Sequence, residues 1–200
     1  MSELKELANH DVDARAAQVA ARFRKRAADA GLIDVAYTMV PSPLGDLIVA
    51  ATRRGLVRVS FPHETPDDVI EELALLLSPR VLEAPAQLDE IRRELDQYFE
   101  GRRQRFAVPV DMTLTRGFTR KVLRATARIP FGSVSTYKDV ARRAGNERAY
   151  RAAGNALGAN PIPIVVPCHR VVRTGGALGG YTGGLDRKVR LLTLEGVLSA

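Results

Sequence analysis

Apolar positions follow a helical period first, a strand pattern next, and a helical period again. Over residues 11–30, Val12, Ala16, Val19, Ala20, Phe23 and Ala27 recur at helical spacing, with Gly31 as a stop. The other face holds Arg22, Arg24, Lys25 and Arg26, so this amphipathic helix reads as a structural or docking appendage with a solvated basic side. VAYTMV, the turn PSPLGD, LIVAAT, the turn RRG and LVRVSF then read as antiparallel strands. PDDVIEELALLL (66–77) opens on proline and acids and continues as a helix; residues 87–100 form another, and RFAVPVDM (105–112) a closing strand. Beyond Leu114 helices return: FTRKVLRATARI (118–129), STYKDVARRAG (135–145, capped by Ser135 or Thr136) and RAYRAAGNALGAN (148–160). The pattern predicts an α+β chain in three parts. These are a helical extension (1–31), a small antiparallel-sheet domain (32–112), and a mainly helical domain (113–200) containing a helix-turn-helix.

Charge divides along the same line. Residues 1–112 hold 15 Lys and Arg against 19 Asp and Glu, a balance of −4; residues 113–200 hold 15 against 4, a balance of +11. The basic half suits a polyanion such as nucleic acid, although an ordinary solvated surface has the same charge. In the third of these helices, Ala149, Ala152, Ala153, Gly154, Ala156, Gly158 and Ala159 permit close approach, either to a packed neighbour or to a nucleic-acid groove. Arg148 and Arg151, three apart on one face, favour the groove.

The chain has one cysteine, which excludes an internal disulfide framework and any multi-cysteine zinc site. No metal and no cofactor is expected. The first residues lack the apolar core of a signal peptide and no run reaches membrane-spanning length, so a soluble, cytoplasmic protein is expected.

That cysteine stands in IPIVVPCHRVV, at the end of an apolar run read as a buried strand. A single cysteine ordinarily behaves as a small buried hydrophobe. Here His169 supplies a base, Arg170 favours thiolate over thiol, and the loop RTGGALGGYTGG brings flexible backbone to the site. Neighbouring residues of an extended chain face opposite ways, so His169 is expected to reach the sulfur through water. Of the four acids after residue 112 (Asp139, Glu147, Asp186 and Glu195), Glu195 in the terminal helix is the one placed to orient the histidine. The glycine loop matches neither a P-loop nor a dinucleotide fingerprint. Nothing in the N-terminal half is arranged for chemistry, and His63 reads as a loop residue.

PCHRV, with NPIPIVV before it and GGYTGGLDRKVRLLTLEG after it, resembles the signature of the O6-alkylguanine-DNA alkyltransferases. The likeness extends through PFGSVSTYKDVARRAG and RAAGNALGANP, covering roughly residues 114–197, and SPLGDLIVAATRRGLVRVSF is similar to that family's N-terminal domain. The resemblance implies DNA repair in which Cys168 takes the alkyl group of O6-alkylguanine, or alternatively O4-alkylthymine, irreversibly and once per molecule. The base is flipped out of the duplex first. By motif position His169 is the base acting through water and Glu195 its orienting partner. Tyr137 donates to the departing guanine and helps rotate the neighbouring phosphate. Arg151 enters the base stack, and Asn160 braces the turn before the active-site strand. Tyr181, with the backbone of Thr182 and Gly183, forms the pocket loop, and the Val171 backbone reads the exocyclic amine. Ala152 and Gly154 suit close approach in the minor groove of double-stranded DNA. A monomer is implied, with cooperative assembly on DNA left open. Leu123 stands where an aromatic is frequent, Thr119 where Gln is usual, and Thr182 where Ser or Gly is usual, the last bearing on which O6 substituents fit.

Three rival readings stand beside this one. A non-transferring lesion binder of the same fold typically has Trp at the acceptor position, here Cys168. A helix-turn-helix regulator would bind one operator sequence regardless of alkylation. A Cys-His hydrolase would turn over and leaves the basic half unexplained.

Overall fold

A computed structural model describes residues 15–199 except 17 and 25. The described residues of the N-terminal extension are helical at 15–16, 18–24 and 26–29 (α1). Of its expected apolar face Ala27 is buried, Val19 and Phe23 are exposed, and Val12 lies outside the described residues.

The sheet is built from β1 (Val35–Val40), β2 (Leu47–Thr52), β3 (Gly55–Ser60) and β4 (Val81–Glu83), in the order β3-β2-β1-β4. β1, β2 and β3 pair antiparallel as their pattern predicts. β4 is an addition that the sequence reading missed, and it runs parallel to β1, because helix α2 (Pro66–Leu76) makes the crossover from β3. Thr65 caps α2 by accepting from the Asp68 amide. Alternation divides the two faces. Val35, Ile48, Ala50 and Val57 pack on α2 through Val69 and Leu73. Ala36, Leu47, Val49, Leu56 and Val59 face the main core with α3 (Asp89–Phe99), whose Leu95 and Tyr98 are fully buried. The expected closing strand over 105–112 is an extended connection touching the sheet at one bridge, Leu56 to Val110. Pro109 lacks an N–H for a ladder, which fits this single point of contact.

The C-terminal part packs α4 (Gly117–Thr126), α5 (Tyr137–Arg143), α6 (Tyr150–Gly158) and α7 (Leu185–Leu194) around a two-stranded parallel pair, β5 (Ser135–Thr136) with β6 (Val171–Val172). Ser135 belongs to β5, and Thr136 alone caps α5, accepting from the Asp139 amide. Gly145 (φ 98°) and the Asn146 cap make the turn between α5 and α6, giving the helix-turn-helix. In α6 the small residues divide between a buried and an open face. Ala153 and Ala156 are buried against the fold, while Arg151 and Ala152 face outward.

The expected strand over IVV does not form. Residues 162–166 make a turn instead, with fully buried Ile164 at φ 73°, a conformation costly for a β-branched side chain. The turn is fastened from three sides. Val166 N–H donates to the Ile162 carbonyl, Asn160 bonds both strands of the turn, and Val59 N–H of β3 donates to the Pro161 carbonyl at 2.8 Å.

Candidate active site

Cys168 opens a short 3-10 turn, Cys168–Arg170, at the foot of β6. It is 5% exposed, yet it lines a cavity of about 500 Å³ with Tyr137, Gly154, Leu157, Gly158, Arg173, Gly180, Tyr181 and Thr182. Asn160 Nδ2 donates to the sulfur at 3.1 Å and to the Val166 carbonyl at 2.8 Å, while its Oδ1 accepts from the Ile162 amide. One side chain thus braces the strained turn and touches the thiol.

Arg170 does not favour thiolate, contrary to the expectation from sequence. Burial pushes the Cys168 thiol up to about 11, outweighing the Asn160 hydrogen bond and the Lys188 charge. Arg170 is committed elsewhere. Its Nε and Nη2 grip both oxygens of Glu195 at 2.8 Å, and its Nη1 donates to the Ile129 carbonyl. A resting neutral thiol therefore needs a base.

His169 is fully buried and donates Nε2–H to Glu195 Oε1 at 2.9 Å. That bond leaves Nδ1 as the ring's lone-pair atom, and Nδ1 has no partner among the described residues. Burial pulls His169 below its ordinary value despite the carboxylate, so the ring is a neutral acceptor at neutral pH. Glu195, the C-cap of α7, is 4% exposed and receives four donors: His169 Nε2, Arg170 Nε and Nη2, and the Tyr98 hydroxyl at 2.7 Å. Burial alone would raise this carboxyl; those bonds, led by His169 and Arg170, bring it down to about 2.

Tyr98 corrects the reading that the N-terminal half plays no part in the site, since it reaches the Glu195 carboxylate from α3. Phe61 supports the other wall, meeting the Tyr181 ring at 5.9 Å edge-on, while His169 meets that ring at 6.3 Å. A side chain at Gly183 would strike Phe61 and Tyr181 at 2.7 and 2.8 Å, so glycine is required there. Gly179 (φ 68°) likewise lies where a Cβ would meet the Tyr137 hydroxyl at 2.7 Å. Thr182 ties the glycine loop to α6 through the Gly158 carbonyl at 2.7 Å.

The structure brings Cys168, Tyr137, Gly154, Tyr181 and Thr182 together in one cavity. His169, Asn160 and Glu195 lie buried behind it, and Arg151 and Ala152 lie on the open face of α6. The Val171 carbonyl accepts from Lys188 Nζ at 2.6 Å, and Val171 is fully buried in β6, outside the residues that line the cavity. Lys188, which the sequence reading passed over, is fully buried and also donates to the Leu178 and Gly180 carbonyls, pinning the glycine loop to β6. Its burial lowers it to about 8. The helical spacing of α7 already pointed it inward with Leu191 and Glu195. Tyr150, the exposed first residue of α6, was also missed; the Arg151 guanidinium lies 5.5 Å from its ring centre.

Two family profiles match the chain. Residues 117–197 match the 6-O-methylguanine DNA methyltransferase DNA binding domain, and residues 35–112 match the ribonuclease-like domain of the same proteins. The chain belongs to the 6-O-methylguanine DNA methyltransferase family. It is 37% identical to a methylated-DNA–protein-cysteine methyltransferase of Methanosarcina barkeri, over 80% of this chain and 96% of the relative. It is 38% identical to an inducible one of Bacillus subtilis, over 74% and 82%. The structure of the Mycobacterium tuberculosis O6-methylguanine methyltransferase superposes with a TM-score of 0.69 at 34% identity, over 80% of this chain and 92% of that one. Its DNA complex gives 0.68 over the same shares. Membership of this methyltransferase family makes the chain a DNA-repair enzyme that moves a methyl group from O6-methylguanine to a protein cysteine.

Proposed function

We propose that Cys168 is the acceptor and that His169 removes its proton through a water held between Nδ1 and the sulfur. The orphaned Nδ1 atom supports this most directly, because a buried lone pair without a donor is otherwise an uncompensated cost. The buried Tyr181 hydroxyl, also without a partner, offers that water a further contact. The sulfur then attacks the alkyl carbon in line; the S–C bond forms as the C–O6 bond breaks, and Tyr137 supplies a proton or hydrogen bond to the guanine that leaves. Burial keeps that phenol protonated, as a donor must be. Glu195 stays ionised and steadies the imidazolium as it forms, with Arg170 and Tyr98 fixing the carboxylate. No step regenerates the thiol, so each molecule reacts once.

The guanine enters the Cys168 cavity extruded from the minor groove of duplex DNA. Arg151 fills the space it leaves in the stack, while Ala152 and Gly154 let α6 sit close. Tyr181, Thr182 and Gly183 shape the pocket, and the Val171 backbone takes the exocyclic amine. O4-alkylthymine fits the same chemistry. Residues 1–31 stand outside the reacting unit, and a monomer in the cytoplasm, where the thiol stays reduced, fits a single-use acceptor.

Duplex DNA carrying labelled O6-methylguanine should transfer one methyl per chain, on the peptide that contains Cys168. Turnover, or label on another residue, overturns the reading. Arg151→Ala should slow repair of duplex far more than reaction with a free alkylated guanine base; equal losses remove its assigned role.

A further inference from the structure

A second cavity, of about 450 Å³, lies on the outer side of Arg170, and none of its lining residues belongs to the Cys168 pocket. Its walls include Arg105, Phe106, Arg128, Phe131 and Arg170, and no carboxylate. Arg105 and Arg128 are exposed and form no ion pair with any acid among the described residues. Arg170 is only 6% exposed. A guanidinium carries five N–H groups. Three of them are directed at Glu195 and the Ile129 carbonyl, and the other two have no acceptor among the described residues. The plane is held still: its carbon lies 5.9 Å from the Phe131 ring centre, and the bidentate grip of Glu195 fixes its rotation.

We infer that this cavity binds a phosphate oxyanion, received by the two free N–H groups of Arg170 and neutralised by Arg105 and Arg128. A rigid guanidinium with spare donors is a receptor for planar or tetrahedral oxyanions. With the charge of Arg170 matched by Glu195, Arg105 and Arg128 leave two cations unpaired among the described residues, which suit a group carrying about −1.5 to −2 charges. The group is either a free phosphate or a phosphate of the DNA backbone.

Occupancy also has a consequence for the reacting site, which rests on the role proposed above for His169. Arg170 depresses the basicity of His169 across the shared Glu195. An anion on its outer face offsets that charge, so His169 holds a proton more readily and transfer accelerates. The phosphate signal for binding does not depend on which residue accepts the alkyl group, so the two readings fail separately.

Thermal unfolding in inorganic phosphate, against sodium chloride of equal ionic strength, tests the site. Phosphate should raise Tm saturably, and the double variant Arg105→Ala, Arg128→Ala should lose that rise while keeping its Tm in chloride. A rise of equal size in the double variant, or in chloride, overturns the proposal. With a free O6-alkylguanine base, phosphate should speed transfer in the parent chain and leave the double variant unchanged; a rate that ignores phosphate in both removes the coupling. Binding of unmodified duplex identifies the source. A double variant with weaker binding and a salt slope reduced by about one or two points to backbone phosphate, and unchanged binding points to a free phosphate group.

Discussion

Two arginine–carboxylate clamps of the same geometry stand in the two halves of the chain. In the sheet, Arg80 grips both oxygens of Asp34 at 2.8 Å, with the side chains 52% and 30% exposed. Behind the active site, Arg170 grips both oxygens of Glu195 at 2.8 Å, with 7% and 0% exposed. The first is screened by water and fastens the start of β1 to the loop before β4. The second is a buried charge pair whose carboxylate also carries a histidine and a tyrosine from the other half of the chain. Burial, rather than bond length, separates a screened clamp at the surface from one that fixes a buried carboxylate beside His169.

The largest contrast should come from removing each carboxylate. Glu195→Ala strands Arg170 and should cost about 3–5 kcal/mol of stability, whereas Asp34→Ala should leave Tm nearly unchanged; equal losses in denaturant titration would erase the distinction. The milder Glu195→Gln adds a pH signature. The folded carboxyl titrates at about 2, below its ordinary 4.5, so its stabilisation is complete above 4.5 and lost as pH falls toward 2. The gap between parent and Glu195→Gln should therefore narrow across that window, and a constant gap would show that ionisation is not what stabilises.

Tyr98→Phe removes the one polar atom that the sheet half gives to this carboxylate. About 1.5–3 kcal/mol of stability should go with it, together with transfer rate on a free alkylguanine, while affinity for unmodified duplex stays the same. An unchanged rate would reduce the N-terminal half to a scaffold. The smallest effect expected is at Tyr150. Its ring holds Arg151 on an exposed face, so Tyr150→Ala should slow duplex repair by roughly two- to fivefold, with Tyr150→Phe restoring it and the free-base reaction indifferent to both.

The sequence read well wherever one element decides the outcome. Short apolar runs separated by tight turns located β1 to β3, Thr136 and Gly145 marked the ends of α5, and the single cysteine pointed to the cavity that Cys168 lines. It read poorly where two distant segments share the decision. The apolar run before Cys168 has strand composition, but Asn160 and the Val59 amide of β3 hold it as a turn. Arg170 looked like a partner for the sulfur because it is two residues away; the 3-10 turn sends it to Glu195, 25 positions later. Tyr98 carries no local signal at all, since its partner lies 97 residues off. Lys188 was legible in principle, as a lysine on the inward face of α7.

The account turns on a buried thiol that cannot ionise by itself. The pH dependence of alkyl transfer from a free O6-alkylguanine base, in the parent chain and in His169→Ala, measures this directly. With His169 as base and its ring already neutral at pH 7, the parent rate should be nearly flat from pH 7 to 9. Without it, the rate should be slow and climb about tenfold per pH unit toward the thiol's own value near 11. A parent profile that climbs in the same way, or a His169→Ala protein with the parent's rate at pH 7, would contradict it.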